Sequence, residues 1–338
     1  MRLKKVNSVA LTPTVPFAFD STFHKPDHFT SGDNQWQPGI RWQTWFWQGK
    51  QLGLKFISTA ARRKPPVSVL ADESPSLTKK PQLLVEIYYS TGLSVPFVKS
   101  LAEEIEYRFN LRLDLSDFYQ SFKDDKVLGP VVRRWRGMRP GHPSSLYEYL
   151  IIGIVLQNAT VRRSIQMFQA LLEKYGRLLE YDGKKLWCFW EPGGLRKVTE
   201  EELRALKVGY RAKSIKRTDD YFTQGLIDEL KLRQKDREAQ REKLIKLYGV
   251  GPATVWYLLF DVFHHWDFFD HVSPWEQKIY SKLFFNQDPE KPVSVKKILK
   301  HIDKYGEYKQ LAVHYLWEDL WWKRKNKKIP WLEKLIRV

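Results

Sequence analysis

The chain has 338 residues, 43% of them hydrophobic, and carries 57 Lys and Arg against 39 Asp and Glu, a formal charge of +18. That excess favours a polyanionic partner, nucleic acid first, because each cation placed on a phosphate releases condensed counterions; a cationic surface serving only solubility is the alternative. The single cysteine, Cys188, excludes an internal disulfide and any four-cysteine metal centre, and the longest dense apolar run, Tyr149 to Leu156, falls far short of the roughly 20 residues that span a bilayer.

Met1 to Lys5 is basic, but Asn7, Pro13 and Pro16 interrupt any apolar block behind it, so an intracellular address and no membrane contact are expected. Arg41 to Trp47 and Gln51 to Ile57 alternate with period two around Gln48-Gly49-Lys50, which predicts a β-hairpin. Ala61 to Pro81, rich in proline and serine, reads as a long exposed loop before a strand from Leu83 to Tyr89. Val98, Leu101, Ala102, Ile105 and Phe109 then recur at helical spacing. Residues 1–115 are therefore expected to form an antiparallel sheet carrying a helix, and 116–338 a mainly helical second domain, an α+β chain.

Beyond Leu115 the strand signal fades. Helices are expected over Leu146–Gln157, Val161–Tyr175, Glu200–Leu206, Arg237–Leu247, Thr254–Phe263, Pro274–Phe285 and Val295–Lys304. Thr199 with Glu202, and Ser273 with Glu276, have the spacing of capping boxes, which satisfy unpaired amides at a helix start. His264, His265 and His271 lie among aromatic residues without a metal-binding pattern, so no metal and no cofactor are expected.

The segment from Leu244 to Thr254 joins two helical stretches through Gly249-Val250-Gly251. Glycine permits positive φ and close backbone approach, and the amide groups opening the next helix point at whatever lies beyond them, so a phosphate is a fitting guest. Many helix–helix turns contain glycine for steric reasons alone; the flanking helices and the positive charge favour DNA. Val250 is expected to face inward and lock the two helices.

The run Gly249-Val250-Gly251-Pro252-Ala253-Thr254-Val255-Trp256-Tyr257 resembles the helix-hairpin-helix of the DNA glycosylase superfamily, nearest its 3-methyladenine and 8-oxoguanine branches. Leu206 to Ala212, with Gly209-Tyr210-Arg211-Ala212, is similar to a segment of the 8-oxoguanine branch. Tyr149 to Ser164, centred on Gln157-Asn158, looks like the family's first core helix and wedge loop. The amino-terminal sheet also fits those branches. The resemblance implies a helix-hairpin-helix near residues 238–263, a monomer, and double-stranded DNA containing a damaged base as partner. DNA contacts are implied at Gly249, Val250, Gly251, Ala253, Thr254, Gln157, Asn158 and Arg211. The alternative for Gln157 and Asn158 is that they merely end a helix and start a turn.

Family members place an Asp at the cap of the helix after the hairpin, where it stabilises an oxocarbenium-like sugar. Here that register falls on Ser273, which caps well and carries no charge. Asp270, three residues earlier, and Glu276, in the first turn, are the neighbouring carboxylates. Asp270 is a catalytic candidate or an ordinary turn residue, and Glu276 is the weaker candidate. Ala253 stands where bifunctional relatives carry a nucleophilic Lys, which implies a monofunctional, water-using glycosylase acting on a purine. The uncharged Ser273 suggests the alternative, a relative that senses damaged DNA without cutting. Lys246 and Lys278 suit phosphate contacts or a solvated helix face. Trp256 is the candidate for a base-stacking pocket, although its helical phase also suits burial. Trp317, Trp321 and Trp322, beside Lys323, Arg324, Lys325, Lys327 and Lys328, form either a DNA-contacting edge or a packed terminal helix with a basic tail.

Overall fold

The computed structural model describes residues 1–25, 31–59 and 83–336. The expected loop at Ala61–Pro81 lies outside the described residues. The first elements are β1 (Lys4–Leu11), α1 (Phe19–Phe23), β2 (Asn34–Gln37), β3 (Ile40–Trp47), β4 (Lys50–Ser58), β5 (Leu83–Tyr89) and α2 (Val95–Arg108). The strands form one antiparallel sheet in the order β1-β5-β4-β3-β2. Trp47 pairs with Lys50 across a two-residue turn in which Gln48 and Gly49 both have positive φ, 45° and 74°. That turn matches the right-handed twist of the strands, so the alternation of β3 and β4 closes as a tight hairpin. Leu52, Leu54, Phe56, Val85 and Ile87 bury one face of the sheet against Phe97, Leu101 and Ile105 of α2.

The chain continues through α3 (Ser116–Phe122), α4 (Gly129–Arg134), α5 (Leu146–Leu156) and α6 (Val161–Tyr175) to two strands, β6 (Arg177–Tyr181) and β7 (Lys184–Cys188). Next come α7 (Glu200–Ala205), α8 (Arg211–Thr223), α9 (Glu229–Leu232), α10 (Arg237–Ile245), α11 (Pro252–Asp261), α12 (Pro274–Phe285), α13 (Val295–Ile302), α14 (Lys309–Asn326) and α15 (Pro330–Glu333). Two expected helices, Val161–Tyr175 and Pro274–Phe285, are matched end to end, and both expected capping boxes form. The tryptophan-rich carboxyl-terminal stretch forms α14, with Trp317 and Trp322 partly buried against the helical core.

Two departures correct the sequence reading. The β6–β7 hairpin interrupts the expected mainly helical run, in which no strand was expected. It covers the second face of the sheet, packing Leu179, Tyr181, Leu186 and Cys188 against Leu3, Trp42 and Tyr88. The Tyr181 ring lies so close to β4 that a Cβ at Gly53 would sit 2.7 Å from it, which makes glycine the residue that lets the hairpin dock. The second departure is α8, absent from the expected helices; it buries Ala212 and Ile215 beside Ile151 and Ile154 of α5.

Glu104 and Arg108 of α2 share a buried ionic network with Arg233, just past α9, whose guanidinium is bidentate on Glu104 at 2.7 and 2.7 Å. Burial alone would raise the Glu104 pKa, but Arg233 and Arg108 override it and hold the carboxyl below its ordinary value. This network ties the sheet's helix to the segment leading into α10. Among the described residues no helix is long and apolar enough to cross a membrane.

Candidate nucleic-acid interface and active site

Helices α10 and α11 flank the turn from Lys246 to Gly251. Gly249 takes φ 82°, and a Cβ there would meet Ser214 Oγ at 2.5 Å, so both conformation and space require glycine. Val250 turns inward among Leu247, Val255 and Leu258. Gly251 caps α11 without a side-chain acceptor, and Pro252 occupies the first helical position, where a missing N–H costs nothing. Among the described residues nothing accepts a hydrogen bond from the amides of Gly249, Gly251, Ala253 or Thr254. Gly249, Pro252 and Ala253 are exposed. Four unspent donors near the positive end of a helix dipole are the kind of group an anion can use. Beside it, Lys213 and Arg217 of α8 lie over the exposed Tyr248 ring at 5.2 and 4.2 Å.

The turn after α5 is fastened to this hairpin. Gln157 Nε2 donates to the Gly249 carbonyl at 2.6 Å, and Arg211 donates to the Gln157 carbonyl. Asn158 follows in the left-handed conformation at φ 48°, exposed, with its amide donating to the Tyr210 hydroxyl at 3.1 Å. Asn158 therefore projects from a braced turn next to the open amides of the hairpin. Arg211 departs from the sequence reading as a DNA contact: it is only 8% exposed and directs its guanidinium to backbone carbonyls, so it braces the turn from behind.

Ser273 caps α12. Its hydroxyl accepts from the Glu276 amide at 3.3 Å, and Glu276 Oε2 accepts from the Ser273 amide at 2.9 Å. Glu276 is 5% exposed. Asp270 lies on the surface, half exposed, paired with Arg241 of α10 at 3.3 Å. The sequence thus placed two carboxylates near the cap, and the fold folds Glu276 back onto Ser273 while turning Asp270 outward to a salt bridge.

Trp256 also departs from the expected pocket role. It is 4% exposed and packed edge-on to Phe269 in the core shared with α12 and α14. The next residue, Tyr257, keeps 42% of its surface open. Desolvation of its hydroxyl, with Glu276 and Asp261 beside it, holds the phenol well above its ordinary pKa. Ala253, Tyr257 and Asp261 recur every four residues, so they share the open face of α11. Asp261 accepts from the Tyr149 hydroxyl of α5. His142 packs edge-on to Tyr149 at 4.5 Å, and His314 of α14 lies 5.1 Å from Phe260. Burial, then nearby cations, push His142 down to about 3 and His314 well below its ordinary value, so both imidazoles are neutral at physiological pH. Tyr149, Tyr210 and Tyr257 lie in the runs that carry the resemblance but are given no role there, and Asp261 is not singled out; the four-residue recurrence from Ala253 is the signal that marks Tyr257 and Asp261.

The amino-terminal antiparallel sheet, the helical body and the open-amide hairpin followed by a capped helix make a fold similar to that of solved DNA glycosylases. No protein-family model matches it. It is similar to a probable N-glycosylase/DNA lyase of Methanothermobacter thermautotrophicus, 28% identical over 207 residues. That similarity covers 55% of this chain and spans 64% of the relative's length. A DNA-3-methyladenine glycosylase of Bacillus subtilis is 25% identical over 226 residues, 66% of this chain and 73% of that protein. In fold the chain is similar to the 8-oxoguanine glycosylase/lyase of Clostridium acetobutylicum, with a TM-score of 0.65 and 20% identity, over 94% of this chain and 98% of that one.

Proposed function

We propose that this chain is a monofunctional DNA glycosylase of base excision repair, which swings a damaged purine nucleotide out of a duplex and hydrolyses its N-glycosidic bond. The observation that carries the reading is the set of unspent amides at Gly249, Gly251, Ala253 and Thr254, aimed outward at the amino end of α11 on a chain of charge +18. The hairpin holds a phosphate. Asn158 fills the gap left in the base stack, supported by Gln157 and Arg211, and the extruded nucleotide enters beside Tyr257. Residues 1–115 serve as the sheet domain and 116–338 as the helical one, acting as a monomer inside the cell.

As the base leaves, positive charge develops on the sugar, and a carboxylate held close to it lowers the barrier. Ser273 supplies none. Glu276 does, because the capping box returns its carboxylate to the position of the cap, with Tyr257 alongside. Asp270 is the less suitable group, since it is occupied with Arg241 away from the cap. The Methanothermobacter relative's name includes a lyase activity. With Ala253 at the nucleophile's position, we assign no Schiff-base chemistry to this chain.

A second reading, a sensor that flips damaged DNA without releasing the base, is favoured by one observation: Glu276 already spends an oxygen on the Ser273 amide. Incubating the protein with duplexes containing 3-methyladenine, 7-methylguanine, hypoxanthine, 8-oxoguanine or uracil, then treating with hot alkali, separates the two. Strand cleavage after release of a purine supports the enzyme. Tight, lesion-dependent binding without release supports the sensor, and equal binding to intact duplex contradicts both.

A further inference from the structure

A groove of about 500 Å³ opens where α14 ends and the chain turns into α15. Trp322, Asn326, Lys327, Lys328, Pro330 and Trp331 line it. Its walls include two indoles, Trp331 and the partly buried Trp322, whose ring also carries the Arg134 guanidinium at 4.8 Å, and its rim is cationic. Not every cation there is available: Lys323 pairs with Asp319 at 2.7 Å, and Arg324 holds Glu333 at 2.8 and 3.0 Å. Lys327 and Lys328, with the adjacent Lys325, are exposed, and among the described residues no acidic group pairs with them. The tail forming one wall is anchored toward the site described above, because the Trp275 indole donates to the Leu335 carbonyl at 2.9 Å and Trp275 lies two residues past the Ser273 cap.

From this we infer that the α14–α15 groove is a second nucleic-acid site, one that takes unpaired nucleotides. Lys327 and Lys328 on the rim, with Lys325 exposed beside them in sequence, match a polyanion, which sets the charge of the occupant. The two indoles set its form. Bases in a duplex are already stacked on each other and present no free face, whereas an unpaired base can lie against an indole. A duplex flank would use the lysines and leave the indoles idle. The groove therefore suits a single-stranded segment near a flipped or frayed position, and it acts independently of whether the protein releases a base.

The test uses the full chain and a short labelled oligothymidylate, followed by anisotropy and by tryptophan quenching across a salt series. We expect binding that the triple variant Lys325→Gln, Lys327→Gln, Lys328→Gln weakens at least about tenfold. The slope of log affinity against log salt should fall in magnitude by about 2, since each phosphate contact on a single strand contributes about 0.7. Trp331→Ala should remove most of the quenching, and the lysine variants, all at exposed positions, keep the test valid if that substitution unsettles the tail. An unchanged slope and affinity in the triple variant overturns the inference. So does a loss of the same size for intact duplex, which would mark the lysines as a general cationic surface. Loss of lesion-duplex binding by an Ala253→Asp variant with oligothymidylate binding intact would separate this groove from the hairpin.

Discussion

Glu276 Oε2 accepts the amide hydrogen of Ser273 at 2.9 Å, so the carboxylate sits at the cap even though the residue at the cap has no charge. In a helix the third residue of the first turn reaches back to the cap, and the capping box places there what a cap aspartate would place directly. The consequence is a chemical one. Glu276→Gln, which preserves size and an acceptor oxygen, should reduce single-turnover base release about a hundredfold while leaving affinity for an abasic-site duplex unchanged. Ser273→Asp should raise release. Full activity in the glutamine variant would remove Glu276 from the chemistry.

Ala253 tests the hairpin without disturbing the fold. An acidic residue in the first turn of a helix is stabilising by about 0.3–1 kcal/mol. On the same position it repels a phosphate. Ala253→Asp should therefore hold or raise the melting temperature and weaken duplex binding at least about tenfold at low salt, where a phosphate contact counts most. A variant that binds as well as the parent would show that α11 does not face the backbone.

Asn158 stands exposed on a left-handed turn that Gln157 and Arg211 fasten in place. If it fills an emptied stack, Asn158→Ala should weaken binding to a lesion duplex more than binding to intact duplex, by about tenfold in the ratio, because only the former exposes a gap costing a few kcal/mol. Equal losses, measured by competitive anisotropy, would reduce Asn158 to a turn residue.

Glu148 offers a test of the scaffold. Burial raises its pKa from 4.5 to about 7, against the opposing pull of Arg108 and the Ser145 hydrogen bonds. Between about pH 4.5 and 7 the native state holds a proton that the unfolded chain releases, so this group's contribution to stability falls as pH rises through that window and is level above it. Glu148→Gln, which can keep the amide contact to Ser145, should gain stability relative to the parent as pH rises from 5 to 8. Denaturant titrations at both values check this, and a constant difference between variant and parent would contradict it.

The sequence made the helical body and the hairpin legible because their signals are local. Helix α12 begins at the serine–glutamate pair that caps it, and α6 follows the period of its apolar face. The β6–β7 hairpin was hidden by its setting. Its turn, Asp182-Gly183, carries the residue pair that favours a tight hairpin, with φ of 48° and 71°, but the five-residue strands around it are too short to show periodicity. Trp256 and Tyr257 illustrate a finer limit. One residue is a rotation of 100° around a helix, and which of two aromatic neighbours faces the core depends on how α11 packs against α12 and α14, contacts set by residues far along the chain. Arg211 was misread for a related reason, since nothing local says whether a guanidinium meets solvent or the carbonyl of Gln157. Asp270 and Glu276 differ by a loop conformation alone.

Hydrogen–deuterium exchange over residues 246–256, with and without a saturating duplex carrying an abasic-site analogue, tests the phosphate grip most directly. The amides of Gly249, Gly251, Ala253 and Thr254 have no acceptor among the described residues, so we expect them to exchange quickly alone and slowly in the complex. Exchange at those four positions that stays fast in a fully bound sample would contradict the role given to the hairpin.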